Sequence, residues 1–234
     1  MAEVKPDVQE LVVGLYDMGE IGYVDPPGEG VVVEDPAYPE EVFRKLKSGR
    51  MSPHYVGLRN VTSFSESLPI PIEQQKRTRD LLIASCGELL DDQDYNHLLG
   101  IPQAVTCLSG LIAQARGDSV LWMRVGSKSY GVHEAIQGNY EAGEWVSTFD
   151  NVITDGATKL ETVEPLAAEG LNIAYFNVVV DREEGGRETV EAAGYDFAAV
   201  VGMGAINDIL REEGRITEEQ WGWANEYRAR LMAE

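Results

Sequence analysis

The sequence predicts an α/β fold built on a mostly parallel central sheet flanked by helices. Short apolar runs recur at 97–101, 119–123, 145–149, 172–180 and 197–201, each of strand length. Segments long enough to form helices separate them, the arrangement that lets neighbouring strands run parallel and be covered on both faces. No Pro/Gly/Ser-rich linker divides the 234 residues, so the chain reads as one domain able to bury a substantial core.

Taken in order, Gln9 to Met18 places Leu11, Val12, Leu15 and Met18 at helical spacing, and Gly19 offers a stop. Prolines crowd the following VDPPGEGVVVEDPAYPEE around a β-prone run at Val31–Val33, which reads as an irregular excursion or a hairpin. A basic turn then leads into strand-like alternation through SGRMSPHYVGLRN. Glu73 to Leu90 returns to helical spacing through Leu81, Leu82, Ala84 and Leu89. His97–Ile101 is a strand ending in GIPQA, Val105–Ala115 a helix, and Ser119–Met123 a second strand. At the C-terminus, Thr217 with Gln220 fits a capping box and Ile216 with Trp221 a hydrophobic staple, opening a helix to Leu231. The expected anatomy is a small N-terminal hood over about 1–60, a core over about 73–205 and C-terminal helices over 206–234.

A net charge of −21 repels nucleic acid and anionic lipid, so neither a polynucleotide nor a membrane is an expected partner. Any anionic ligand then needs a local cationic pocket. Lysine is confined to Lys5, Lys45, Lys47, Lys76, Lys128 and Lys159, a bias that suits a high-salt cytoplasm and equally a merely acidic mesophilic protein. Cys86 and Cys107 lack metal-ligand spacing and read as buried free thiols of a reducing compartment. His54, His97 and His133 show no ligand spacing either. No basic leader followed by an apolar stretch opens the chain, so a cytoplasmic protein is expected.

Chemistry concentrates at DNVITDGAT, Asp150 to Thr158. A strand ending in acidic residues and turning through Thr and Gly into a helix presents N–H groups and hydroxyls as a phosphate cradle. The acids ahead of it can meet ribose hydroxyls or a hydrated magnesium ion. Capped helices after acidic strand ends are also common structural punctuation. Three further segments occur in order around this turn: KSGRMSPHYVGLR at Lys47–Arg59, RVGSKSYGVHEAIQG at Arg124–Gly138 and DREEGGR at Asp181–Arg187.

Together these four segments resemble the orotate phosphoribosyltransferase family, from about Leu46 to Gly202. The resemblance implies the type I phosphoribosyltransferase fold and transfer of a phosphoribosyl group from 5-phosphoribosyl 1-diphosphate to orotate. The products would be orotidine 5′-monophosphate and diphosphate, with magnesium (Mg2+) carried by the sugar diphosphate. It further implies that Val152, Ile153, Thr154, Asp155, Gly156, Ala157 and Thr158 hold the 5′-phosphate. The backbone of Gly100–Ala104, through Ile101, Pro102 and Gln103, would approach the diphosphate. Lys47 and Arg182 would meet the anionic base, with Tyr55 packed near it. Asp150 and Asn151 would hold the ribose, Asp150 also touching magnesium indirectly. Arg124 and Lys128 would close over the diphosphate from a loop that reaches the partner subunit, so a homodimer is implied.

Positions that depart from the family pattern are as informative. Gly57 stands where an Asp is usual, Asn151 replaces the second acid, Val125 replaces the Lys after Arg124, and Asp155 sets a carboxylate inside the cradle. Losing a preorganised electrostatic contact costs about 10²–10³ in rate. The alternative reading is therefore a non-catalytic or impaired relative that binds phosphoribosyl diphosphate or a nucleotide as a sensor.

Overall fold

A computed structural model describes residues 5–26, 40–45, 50–124 and 135–233. Its elements are α1 (Pro6–Asp17), β1 (Ile21–Tyr23), a 3-10 turn (Glu40–Val42), β2 (Arg44–Lys45), β3 (Met51–Ser52), β4 (His54–Val56), α2 (Ile72–Leu90), β5 (His97–Gly100), α3 (Thr106–Arg116), β6 (Ser119–Met123), β7 (Ile136–Gln137), β8 (Trp145–Ile153), α4 (Ala157–Leu160), α5 (Val163–Ala168), β9 (Asn172–Asp181), α6 (Gly186–Ala192), β10 (Asp196–Gly202), α7 (Met203–Glu212) and α8 (Glu218–Ala233). The chain forms two compact units, 1–78 with 202–234, and 79–201. The proline-rich excursion at Pro26–Pro39 falls almost wholly outside the described residues.

In the first unit, chain ends far apart in sequence build one core. The apolar stripe of α1 buries Leu11, Val12 and Leu15, and Gly19, at φ +76, ends the helix as its position in the sequence predicts. Strands β1 and β4 pair antiparallel with Gly22 opposite Tyr55 and Tyr23 opposite His54. The amphipathic α7 buries Met203, Ile206, Ile209 and Leu210, and its Asn207 accepts the Tyr23 hydroxyl at 2.5 Å. Thr217 and Gln220 form the expected capping box, their reciprocal bonds measuring 2.9 and 3.1 Å. Trp221 serves packing: its indole N–H donates to Asp208, and the Arg211 guanidinium lies 4.3 Å from its ring centroid.

The second unit holds a six-stranded sheet in the order β10-β9-β8-β5-β6-β7. The pairs β5/β6, β5/β8 and β8/β9 are parallel and β6/β7 is antiparallel, matching the mostly parallel expectation. The edge strand β7 has too few residues to show in the sequence pattern. One core joins Leu99, Leu121, Val146, Ile153, Phe176 and Val178 to Leu166 of α5 and Val190 of α6. Inside β8 and β9 a polar network interrupts the apolar pattern. Asn177 donates to Ser147 Oγ at 2.8 Å and accepts from Gln93 at 2.7 Å, so each buried amide group has a partner. Cys86 is buried and burial pushes its thiol pKa up; Cys107, expected to be buried, is exposed in the first turn of α3, on the side away from the buried Leu108 and Ser109.

Candidate functional site

The loops after β5, β8 and β9 leave the same edge of the second unit, because these strands are parallel neighbours. Carboxyl edges of parallel sheets are where ligands bind. After β5, a Cβ on Gly100 would lie 2.3 Å from Ser109 Oγ, so only glycine lets the strand end press onto α3. The next N–H, on Ile101, donates to the Phe149 carbonyl at 2.7 Å and belongs to the sheet. The Pro102–Gln103 peptide is cis, with Pro102 half-buried and Gln103 exposed.

The loop after β8 corrects the expected boundary. The turn was expected to begin at Asp150, but β8 runs on to Ile153, pairing Asp150 with Val178, Val152 with Val180 and Ile153 with Asp181. Pairing with β9 outweighs the weak strand propensity of Asp and Asn. Asp150 is 7% exposed, and its two oxygens are both engaged. Oδ1 accepts the Asn151 N–H at 2.7 Å, and Oδ2 accepts from the ammonium of Lys159, itself 6% exposed on α4. The carboxylate that the resemblance assigns to the ribose is thus neutralised from within the same unit.

Beyond Ile153, Thr154 and Asp155 are half-buried, while Ala157 and Thr158 are exposed. Asp155 Oδ1 accepts the Ala157 N–H at 3.2 Å, so its carboxylate turns back onto the cradle's own backbone. Gly156 has φ +83, and a Cβ there would meet the Gly186 carbonyl at 2.9 Å. A Cβ on Gly186 would in turn meet the Thr154 carbonyl at 2.5 Å. The cradle turn and the turn after β9 therefore lie backbone against backbone, an approach only glycines permit. Downstream, Pro165 sits in the first turn of α5, after a break at Glu161–Thr162 that separates it from α4.

In the turn after β9, Arg182 is 4% exposed and its Nε donates to Glu184 Oε1 at 2.7 Å, Glu184 being 7% exposed. Asp181 Oδ1 accepts the Glu183 N–H at 2.8 Å, Glu183 adopting φ +58. Burial pushes the Asp181 pKa up, against the opposing pull of that N–H and of Arg187, whose Nε lies 3.3 Å from Oδ2.

The structure therefore brings Asp150, Asn151, Val152, Ile153, Thr154, Asp155, Gly156, Ala157 and Thr158 onto one strand–turn–helix beside the Arg182 turn. Arg124 directly follows β6, its N–H donating to the Ala135 carbonyl at 2.9 Å. Tyr55 is exposed on β4 of the first unit, with the Arg44 guanidinium 6.0 Å from its ring centroid. Lys47, Val125, Lys128 and His133 lie outside the described residues. Lys159 and Glu184 were missed in the sequence. The scarcity of lysine in so acidic a chain was the available signal for Lys159, and the two adjacent acids after Arg182 the signal for Glu184.

Among the described residues no group of three His, Cys, Asp or Glu side chains is arranged to hold a metal ion. With both Asp150 oxygens engaged, the described residues provide no cage for magnesium. Among them, too, no helix is long and apolar enough to cross a membrane.

A mostly parallel sheet with an acid-bearing strand end, a glycine turn and a short helix is the architecture of the type I phosphoribosyltransferases. The structure of Leishmania donovani UMP synthase superposes with a TM-score of 0.75 at 23% identity, over 95% of this chain and 42% of that one, which supports the fold. No family model matches the sequence. The chain is 30% identical over 164 residues to the orotate phosphoribosyltransferase of a Bradyrhizobium species, covering 66% of this chain and 83% of that protein. It is 28% identical over 188 residues to that of Caenorhabditis elegans, covering 78% of each. The chain spans 34% of the length of the bifunctional enzyme PyrF/PyrE of Nostoc, which it matches at 25% identity over 174 residues, 74% of this chain. The chain belongs to the orotate phosphoribosyltransferase family.

Proposed function

We propose that this chain transfers the phosphoribosyl group of 5-phosphoribosyl 1-diphosphate to orotate, forming orotidine 5′-monophosphate and diphosphate in pyrimidine biosynthesis. The observation that carries this reading is the pairing of the Thr154–Gly156 turn with the Gly185–Gly186 turn at the carboxyl edge of the sheet, in a chain of this family. In the reaction the C1′–oxygen bond breaks with its electron pair leaving on diphosphate, and a ring nitrogen of orotate forms the new bond to C1′. Positive charge grows on the ribose and negative charge on the leaving group, so cations belong near the diphosphate. In this proposal Arg124 and Lys128 meet the diphosphate, the 152–158 segment binds the 5′-phosphate, and Lys47, Tyr55 and Arg182 select the base. Asp150 and Asn151 orient the ribose through hydrogen bonds. Magnesium would be carried by the sugar diphosphate, where it would offset the diphosphate charge, with Asp150 meeting it only indirectly. A cytoplasmic homodimer with a shared loop completes the proposal.

Two observations favour the sensor as a second reading: the Lys159 ammonium offsets the Asp150 charge, and the Asp155 carboxylate engages a cradle N–H. Absorbance loss of orotate with phosphoribosyl diphosphate and magnesium, followed at low and at multimolar salt, separates the two. Turnover is expected. Measurable ligand binding with no turnover at any salt establishes the sensor instead.

A further inference from the structure

Glu20, at the junction of α1 and β1, is an acid only 3% exposed in a chain that carries a net charge of −21. A buried carboxylate is tolerated when hydrogen bonds replace its water. Glu20 finds these in one place, the turn that follows β4. Its carbonyl accepts the Gly57 N–H at 2.8 Å, Oε2 accepts the Arg59 N–H at 3.1 Å and Oε1 accepts the Asn60 N–H at 3.0 Å. Between these anchors Leu58 is buried at φ +58, a conformation that L side chains rarely adopt without outside support.

The same carboxylate fills the space beside Gly57. A Cβ at position 57 would lie 3.1 Å from Glu20 Oε2, 3.0 Å from Tyr55 Cε1 and 2.9 Å from Tyr55 Oη. In the KSGRMSPHYVGLR segment this glycine stands where the pattern it resembles has an Asp. An acid at 57 and the acid at 20 would compete for one location. We propose that Glu20 is a positioning residue that supplies, from the α1–β1 junction, the carboxylate that position 57 lacks, and that the turn it holds sets Tyr55 for the base. The last clause rests on the orotate reading; the Glu20 assignment does not.

The test compares wild type with Glu20→Ala, Gly57→Asp and the double variant, by hydrogen exchange at the Arg59 and Asn60 amides and by orotate KM against kcat. In E20A both amides lose a buried acceptor and should exchange about tenfold to a hundredfold faster. Orotate KM should rise more than kcat falls. Gly57→Asp alone crowds a second carboxylate against the first and should lower the melting temperature. Combining the two should return amide protection and KM toward wild type, which a residue serving only as filler would not do. A double variant that exchanges as fast as E20A, or an E20A protein with both amides still protected, overturns the proposal. If E20A does not fold, Glu20→Gln, which keeps one acceptor, should leave one of the Arg59 and Asn60 amides protected and expose the other to faster exchange; both amides staying protected in E20Q overturns the proposal. An inactive wild type would sink the orotate reading alone, since amide exchange decides the Glu20 assignment without substrate.

Discussion

Replacing Lys159 by Met keeps most of the side-chain stem and removes the charge opposite Asp150. Both partners are more than nine-tenths buried, so the variant strands a carboxylate inside the protein with one N–H for company. Breaking a buried pair from one side costs about 3–5 kcal/mol. The chain's acidity adds a complication, because any lost cation increases self-repulsion. That part is screened beyond about 3 Å at 1 M salt, whereas a buried pair is screened little. Urea unfolding of K159M at low and at molar salt should therefore show a loss of about 3–5 kcal/mol that survives salt. Arg77→Met is the control: its pair with Glu10 is exposed, with side chains 60% and 46% accessible, so its loss should leave the urea midpoint nearly unchanged, and any small difference should vanish in salt. The double variant Asp150→Asn/Lys159→Met should recover much of the loss, since no charge is then buried. A K159M loss below about 1 kcal/mol, or one that salt abolishes, would refute the buried-pair argument.

Asp155→Ala removes the bond to the Ala157 N–H, costing about 0.5–1.5 kcal/mol, while phosphoribosyl diphosphate should bind about tenfold tighter or better by titration calorimetry, a like charge having left the cradle. Weaker binding in D155A would mean that Asp155 only shapes the turn. Gly156→Ala should weaken that ligand far more than Gly185→Ala, since the first Cβ meets the Gly186 carbonyl and the second meets nothing, although both pay the left-handed strain of about 1–2 kcal/mol. Equal effects on binding would remove the case for turn-on-turn packing. Asp181 holds its proton more tightly in the folded protein, so its contribution to stability falls as pH rises from the ordinary Asp range to its raised folded value, then levels off. Urea midpoints of Asp181→Asn should gain on wild type across that window; a constant difference would show that Asp181 does not titrate there.

What was legible in the sequence was what neighbours along the chain decide. Periodicity located α1, α2 and α3, Gly19 marked a helix end, and Thr217 with Gln220 announced α8, because caps and apolar stripes act within a few residues. The sheet class followed from apolar runs, and the family from four segments in order. The approach of distant segments decided the rest. Pairing with β9 carried β8 through Asp150, Asn151 and Val152, which local propensity assigns to a turn. The Asp150–Lys159 pair forms across a strand, a glycine turn and a helical turn, and Glu20 reaches Arg59 and Asn60 across 39 and 40 residues. Composition names the acids. Only the folded backbone, by excluding water and bringing a particular donor within reach, determines which acids are neutralised, which hold a turn and which remain available to a ligand.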